Sequence, residues 1–173
     1  KKRPSNNPLI VHYYNLRALE HDCIINEDFK KLYNKFSPGP ITYVLKLKKN
    51  SKISKFVTNN KNTVAIRFPK HPLLRRLLKV LSYPLAAPSA NISSKLSSVK
   101  PSDVKEEFGR KLKYILKGGR CSIGVESTII NLTDNASILR LGGLSVSKIK
   151  KIIKKQILIK NKSKNKISPG LFS

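Results

Sequence analysis

The sequence contains no methionine and no tryptophan, and only two cysteines and nine acidic residues among its 173. Cys23 and Cys121 are far apart and form no CxxC pair, which argues against a disulfide scaffold or a zinc finger and favours the reducing cytoplasm. No run approaches the roughly 18 apolar residues of a membrane span, so we expect no membrane association. Because methionine is missing, we expect Lys1 to begin a fragment or a processed chain.

Several signatures of catalysis are also missing. The sequence has no GxxxxGK[ST] loop, no strand-following GxGxxG, no HExxH and no Gly-x-Ser-x-Gly elbow. Its three histidines, His12, His21 and His71, lack metal-ligand spacing. These absences leave hydrolases and metalloenzymes poorly supported, and we expect no metal site built from protein side chains.

Positive charge is abundant instead. Lysine and arginine total 36 against nine acids, which gives a formal net charge of +27, and 28 of the 36 cations are lysine. Such a charge fits a nucleic-acid partner, but a lysine- and isoleucine-rich composition also arises from A/T-rich codons without any partner. We give the two explanations equal weight. The few acids are clustered, and none lies between residues 29 and 102 or after Asp134.

Hydrophobic periodicity predicts an α/β (α+β) layer fold with a mixed sheet. Apolar or small-residue runs predict strands at 9–11, 41–47, 63–68, 84–91, 113–116, 125–132 and 137–141. Caps and apolar stripes predict helices that begin after Asn26, at His71–Pro72, near Pro101 and after Ser145. Residues 160–168 read as a charged, low-complexity tail or linker.

Polar residues interrupt the apolar strands or stand at their ends, where α/β sheets place ligands. They are Lys1, Arg3, Arg67, Ser89, Asn91, Ser127, Thr128 and Arg140. Together they predict a cationic, hydroxyl-rich pocket for phosphate and carboxylate groups. A structural salt bridge is an equally good explanation for Arg67 or for Arg140.

Six stretches resemble the YrdC-like, threonylcarbamoyl-AMP synthase family, in the family's order and over residues 1 to about 150. They are Lys1-x-Arg3-Pro4-x-x-Asn7-Pro8-Leu9-Ile10-Val11-His12, Phe36-x-Pro38-Gly39-Pro40-x-Thr42, Val64-Ala65-x-Arg67-x-Pro69-x-His71-Pro72, Ala87-Pro88-Ser89-Ala90-Asn91-x-Ser93, Gly124-Val125-Glu126-Ser127-Thr128-Ile129 and Leu139-Arg140-x-Gly142. Each motif alone is weakly specific, whereas six in the same order are strongly specific.

The resemblance implies a twisted mixed sheet, flanked by helices, around a large cationic cavity. It also implies an enzyme that makes threonylcarbamoyl-AMP and pyrophosphate from L-threonine, bicarbonate and ATP with Mg²⁺. The product would go to a downstream threonylcarbamoyl-transfer machinery that modifies tRNA. The catalytic domain would span residues 1–157, and residues 158–173 would form a Lys-rich linker or tail.

The resemblance also suggests roles for individual residues. Catalytic positions would be Lys1, Arg3, Ser89 and Asn91; ATP contacts would be Arg3, Asn7, Thr63, Asn91 and Arg140; threonine contacts would be His12, Arg67, Ser89 and Ser127. Arg67 suits a carboxylate because its planar fork can donate to two oxygens.

The sequence departs from the family in several places. The family's first strand, helix and Thr-x-Thr-x-Tyr-Gly loop precede the first matched motif, so we expect an incomplete sheet, an exposed strand edge and little activity from this chain alone. Val99 stands where many members carry a nucleotide-contacting threonine, and Pro169-Gly170-Leu171 resembles the start of the linker in two-domain members. The alternative function is a double-stranded RNA- or tRNA-binding module without catalysis. A related domain of hydrogenase-maturation carbamoyltransferases is the weakest candidate.

Overall fold

A computed structural model describes residues 7–92 and 95–159 of the chain. Lys1, Arg3 and the predicted tail at 160–168 lie outside the described residues. The strands are β1 (Ile10–His12), β2 (Ile41–Lys46), β3 (Thr63–Arg67), β4 (Leu85–Ala87), β5 (Thr128–Asn131), β6 (Ser137–Arg140) and β7 (Leu158–Ile159). The helices are α1 (Leu16–Glu20), α2 (Glu27–Phe36), α3 (Lys55–Thr58), α4 (Pro72–Val80), α5 (Pro101–Phe108) and α6 (Val146–Ile153), and a 3-10 turn covers Gly109–Lys111.

The described strands form one mixed sheet in the order β4-β1-β3-β2-β5-β6-β7. The pairs β1–β3, β2–β5 and β6–β7 are parallel, and the other three pairs are antiparallel. This mixed sheet with helices confirms the predicted α/β class. Among the described residues, no helix has the length and the apolar character that crossing a membrane requires.

The central strands are buried on both faces because their sequences are apolar throughout. Residues 41–45 of β2 are all fully buried, and β5 is buried along its whole length. Isoleucine, valine, threonine and tyrosine dominate both strands, and these side chains pack well on a pleated surface.

The larger core lies on one face of the sheet, under α2 and α6. Helix α2 begins where predicted, because the Asn26 side chain accepts a hydrogen bond from the Phe29 N–H at 2.9 Å. The Phe29 ring meets Tyr43 of β2 edge-on, with ring centroids 4.9 Å apart. The helices thereby cover one face and leave the site to the other.

The opposite face carries a smaller cluster of buried side chains, formed by Val44, Ala65, Ile129 and Leu139. Ile10 of β1 packs against this cluster. Because side chains alternate across a strand, residues two positions apart point to the same face. His12, Thr42 and Arg67 are each two positions from a member of this cluster or from Ile10, so they point to the same face as the cluster. The cluster therefore forms an apolar floor with polar groups at the ends of the strands.

Three expectations about the elements need correction. The strand predicted at 113–116 is wrong: these residues form no strand, and Tyr114 and Leu116 are exposed rather than paired. The run at 84–91 forms only β4, which is half-exposed instead of buried because it pairs on one side, with β1. The sheet also extends two residues past the predicted domain end at 157, because Leu158 and Ile159 pair with β6.

Candidate active site

A row of polar side chains crosses the sheet at one end of the face opposite α2 and α6. His12 is in register with Arg67, Arg67 with Thr42, Thr42 with Ile129, and Ile129 with Arg140. Side chains in register lie on the same face of a sheet. Ser127, just before β5, joins the row through a 2.7 Å hydrogen bond between its hydroxyl and that of Thr42. We call His12, Thr42, Arg67, Ser127 and Arg140 the polar row.

An irregularity in β6 brings Arg140 into the row. The β5–β6 register shifts between Ile129 and Ile130, since Ile129 pairs with Arg140 while Ile130 pairs with Ile138. One extra residue, Leu139, therefore stands on β6 as a β-bulge. Leu139 completes the apolar floor, and Arg140 next to it reaches the neighbouring residues before β5.

The guanidinium of Arg140 is committed to its own neighbours. Its Nε and Nη2 both donate to the Ser127 carbonyl, at 3.1 and 2.9 Å, and Nη2 also donates to the Ser127 hydroxyl at 3.1 Å. Its Nη1 pairs with the Glu126 carboxylate. Glu126 in turn accepts a hydrogen bond from Ser97 at 3.2 Å. For Arg140 the salt-bridge explanation is thus met, and its predicted contact with ATP stays a prediction.

Arg67 has a different environment. Its Nε donates to the Gly39 carbonyl at 3.3 Å, and within residues 7–92 and 95–159 it forms no ion pair. Burial lowers the pKa of the Arg67 guanidinium, and the nearby charge of Arg140 lowers that pKa further. Arginine nevertheless stays protonated, so the fold holds a half-buried cation that forms no ion pair among the described residues, and the charge of Glu126 offsets only part of the cost. An anionic ligand would relieve this cost.

His12 adds a neutral ring beside that cation. Its Nδ1 lies 3.3 Å from the Leu85 carbonyl, which can only accept, so Nδ1 carries the proton. Burial, and then the charge of Arg67, lower the pKa of His12 from 6.5 to about 4. At neutral pH the Nε2 atom is therefore an unprotonated acceptor, suited to an amine or a hydroxyl donor.

The loop after β6 closes tightly over the start of β5. The Gly143 N–H donates to the Glu126 carbonyl at 2.8 Å, and the Thr128 hydroxyl donates to the Leu144 carbonyl at 2.6 Å. A Cβ on Gly142 would lie 2.5 Å from the carbonyl carbon of Ser127 and the nitrogen of Thr128. Only glycine allows this approach, which fixes the backbone that carries Ser127.

The other predicted residues lie toward the opposite end of the sheet. Thr63 begins β3 on the same face as Arg67, about 13 Å away at the usual rise per residue. Its hydroxyl is buried and has no hydrogen-bond partner among the described residues, which is costly without a ligand. Asn7 is buried before β1, and Asn91 is buried after β4, whose end pairs with the beginning of β1. Ser89 is exposed in the same loop.

The predicted sites thus divide between two ends of one sheet face. His12, Arg67 and Ser127, the predicted threonine contacts that the polar row contains, come together at one end. Asn7, Thr63 and Asn91, which the resemblance assigns to ATP, stand toward the other end. Val99 lies in the loop that follows, where its carbonyl accepts from the Cys121 N–H at 2.8 Å. Lys1 and Arg3 lie outside the described residues.

Two grooves lined by described residues lie away from the polar row, and the predicted large cationic cavity stays a prediction. One groove, of about 790 Å³, is on the helical face beside Val11, Tyr13 and Ala86. The other, of about 590 Å³, lies between the start of α5 and residues 115–120.

The described residues offer no group of three His, Cys, Asp or Glu side chains that could hold a metal ion. Glu126, an acidic residue next to Ser127 of the polar row, already forms a salt bridge with Arg140. These residues therefore do not fit a protein-held Mg²⁺ site.

Sequence reasoning missed two members of this network, Thr42 and Glu126. Both stand within quoted motifs, but neither was assigned a role. A threonine inside an apolar strand is an ordinary strand former, and a glutamate before a strand is an ordinary surface residue. Their roles depend on strand pairing between distant segments, which local sequence does not show.

The geometry describes an α/β domain that brings together a guanidinium without an ion pair among the described residues, a neutral imidazole and a hydroxyl pair. The family described as "Telomere recombination", which groups Sua5, YciO and YrdC proteins, matches residues 1–142. The chain therefore belongs to the Sua5/YciO/YrdC family.

Individual relatives agree with this membership. The threonylcarbamoyl-AMP synthase of Pyrococcus abyssi is 41% identical over 155 residues, which cover 88% of this chain and 45% of that protein. The enzyme of the same name from Bacillus subtilis is 38% identical over 176 residues, covering 99% and 51%. The crystal structure of P. abyssi Sua5 complexed with L-threonine superposes with a TM-score of 0.92 at 37% identity, covering 99% of this chain and 52% of that one. The chain spans about half the length of the curated relatives it matches.

Proposed function

We propose that this chain forms the catalytic domain of a threonylcarbamoyl-AMP synthase, which converts L-threonine, bicarbonate and ATP into threonylcarbamoyl-AMP and pyrophosphate. The observation that carries the proposal is the polar row, because its donors and acceptors complement a zwitterionic amino acid. The names of the relatives, and the threonine in the P. abyssi structure, support the choice of amino acid. The product would serve the downstream transfer of the threonylcarbamoyl group to tRNA.

The amino acid would bind across Arg67 and His12. The two Nη groups of Arg67 would donate to the two carboxylate oxygens in a fork geometry. The Nε2 of His12 would accept a hydrogen bond from the amino group. With a pKa of about 4, His12 is too weak a base to retain the proton that the amine loses, so it orients the amine.

ATP would lie along the same face, toward the buried hydroxyl of Thr63 and the amides of Asn7 and Asn91. The threonine amine would add carbon dioxide from bicarbonate and release a proton to give a carbamate. A carbamate oxygen would then attack the α-phosphorus, forming one P–O bond while the bond to pyrophosphate breaks. Such a reaction needs positioning and charge stabilisation more than a covalent nucleophile. Since residues 7–92 and 95–159 offer no cluster of ligands for Mg²⁺, we expect the metal to arrive on the phosphates of ATP.

Isotope exchange between ATP and pyrophosphate, dependent on both threonine and bicarbonate, tests the reaction in the protein that contains this chain. Calorimetry with L-threonine tests the site in the chain itself. We expect Arg67→Met to abolish threonine binding, whereas Arg76→Met, an exposed arginine on α4, should bind like the unmodified chain. Equal binding by both variants would refute the assignment of the polar row to threonine.

A second function, RNA binding, is favoured by the groove of about 590 Å³. Four cationic side chains and no acidic side chain line this groove, which is bounded by Lys100, Pro101, Ser102, Lys105, Ile115, Lys117, Gly119 and Arg120. An RNA backbone would neutralise them, so affinity would fall with salt with a slope of about −0.7 to −0.9 per phosphate contact. We expect Lys105→Gln/Lys117→Gln to weaken duplex RNA binding more than Lys31→Gln/Lys35→Gln, which removes the same charge from α2. Equal losses would assign the affinity to net charge alone.

A further inference from the structure

We propose that Thr42 is a positioning residue for the bound amino acid, acting through the hydroxyl of Ser127. The inference rests on the proposed function, and it adds a residue to which that function assigns no role. Thr42 is fully buried in β2, where its neighbours Ile41, Tyr43 and Val44 are hydrophobic and equally buried. A buried hydroxyl is costly unless it is hydrogen-bonded, and its bond to Ser127 satisfies it.

Donor counting shows what this bond accomplishes. Arginine can only donate, so the Ser127 hydroxyl accepts the 3.1 Å bond from Arg140 Nη2. Ser127 and Thr42 together bring two hydroxyl hydrogens, and the 2.7 Å bond between them uses one. Among the described residues neither hydroxyl has a further acceptor. One hydroxyl hydrogen of the pair is thus left to donate.

The position of that hydrogen matches the ligand proposed for the site. Thr42 stands directly opposite Arg67 in the β2–β3 ladder, at a typical Cβ separation of about 5 Å. A carboxylate oxygen held by Arg67, or the hydroxyl oxygen of threonine, would then be the acceptor for this hydrogen. Thr42 and Arg140 hold the Ser127 hydroxyl from two sides, so removing either contact frees its rotation.

Thr42→Val removes the hydroxyl while keeping the shape and the strand preference of the side chain. Losing one hydrogen bond that orients a ligand should raise the Kd for L-threonine about tenfold. Thr42→Ser, which keeps the hydroxyl, should stay within about twofold of the original Kd. In the exchange reaction the KM for threonine should rise while the KM for ATP is unchanged, a separation that a general loss of stability would not produce.

A double-mutant cycle tests the route through Ser127. If Thr42 acts through that hydroxyl, Thr42→Val should cause no further loss in a Ser127→Ala background. An equal loss in both backgrounds would overturn the inference. Thr42→Ala gives a second hydroxyl-free variant if the valine variant does not fold.

A crystal structure of Thr42→Val gives an answer that does not depend on threonine. We expect the Ser127 side chain to leave the rotamer seen here, and to keep it in Thr42→Ser. An unchanged Ser127 rotamer in the valine variant would refute the positioning role even if threonine binds. If the unmodified chain binds no threonine, the proposed function fails, and the rotamer comparison still decides the role of Thr42.

Discussion

Replacing Arg67 with methionine should abolish threonine binding without lowering the stability of the fold. Replacing an interior arginine is destabilising when the arginine forms an ion pair, because its partner is left as an unpaired charge. Arg67 has no ion pair among the described residues, and its one side-chain hydrogen bond, to Gly39, is long at 3.3 Å. The charge is therefore an energetic burden until a ligand arrives.

The magnitude follows from the sheet. Arg67 on β3 and Arg140 on β6 are separated by two strands, or three strand spacings of about 4.8 Å, which makes about 14 Å. At that distance two positive charges repel by about 0.3–1.2 kcal/mol for effective dielectric constants between about 80 and 20. Glu126 offsets part of this repulsion, whereas relief from burial adds to the gain. A net stabilisation of about 1 kcal/mol would raise the Tm by about 2–4 °C in a domain of this size.

Arg140→Met is the matched comparison, because it removes the same side chain from the same row. It breaks three hydrogen bonds to Ser127 and leaves the Glu126 carboxylate without its partner. We expect a loss of about 2–3 kcal/mol, since bonds from a charged donor are worth more than neutral ones and are not additive. The Tm should then fall by about 4–12 °C. Differential scanning calorimetry with and without L-threonine measures both effects.

The reasoning would be refuted if Arg67→Met lowered the Tm as much as Arg140→Met does. Arg67 would then be a structural residue, and its charge would not be reserved for a ligand. Retained threonine binding in Arg67→Met would refute the ligand assignment independently of stability.

Three further predictions concern His12, Gly142 and Cys121. The pKa of His12 is about 4 in the folded chain and 6.5 in the unfolded chain, so the unfolded chain binds more protons between these pH values. The free energy of unfolding should therefore rise with pH across that window, by at most about 3 kcal/mol. In urea titrations His12→Asn should flatten this pH dependence, whereas His21→Asn, at an exposed position, should preserve it. Gly142→Ala should unfold at a clearly lower urea concentration than Gly119→Ala. The first substitution places a Cβ against backbone atoms, whereas the second places it in open space and costs only the left-handed backbone strain of about 1–2 kcal/mol. Equal urea midpoints for the two variants would contradict the tight approach after β6. The exposed thiol of Cys121 interacts with the charge of Arg67, which should attract an anionic reagent. The ratio of the alkylation rate with anionic iodoacetate to the rate with neutral iodoacetamide should therefore be higher in the unmodified chain than in Arg67→Met. Mass spectrometry measures both rates, and the same ratio in the two proteins would contradict the prediction.

Local sequence predicted the elements that local forces determine. The β-branched runs of β2 and β3 and the cap at Asn26 all appear where periodicity and capping placed them. The run at 113–116 is also largely hydrophobic, but no described strand pairs with it. A strand needs a partner, and the presence of a partner is a tertiary property.

The polar row depends on pairings that join distant parts of the chain. His12 meets Arg67 through a parallel ladder, and Arg140 enters the row through a bulge in β6. Neither the register nor the bulge can be read from spacing. The family resemblance supplied most of the row because it quotes residues together that the fold later brings together, but it left out Thr42, whose role depends on a single cross-strand contact.

Two arginines in similar strands show why charge alone is a poor guide to function in this chain. Arg67 and Arg140 both follow apolar residues in strands of the same sheet, and sequence reasoning gave both the same two explanations. What separates them is the neighbouring strand. Arg140 lies beside the start of β5, where Glu126 and Ser127 use its donors, whereas Arg67 lies between Thr42 and His12, which bring a hydroxyl and a neutral ring but no acid. A net charge of +27 would attract any anion to the surface. A partly buried cation that forms no ion pair among the described residues gains most by binding a carboxylate, and among the arginines of the polar row that cation is Arg67, which feels the charge of Glu126 without pairing with it.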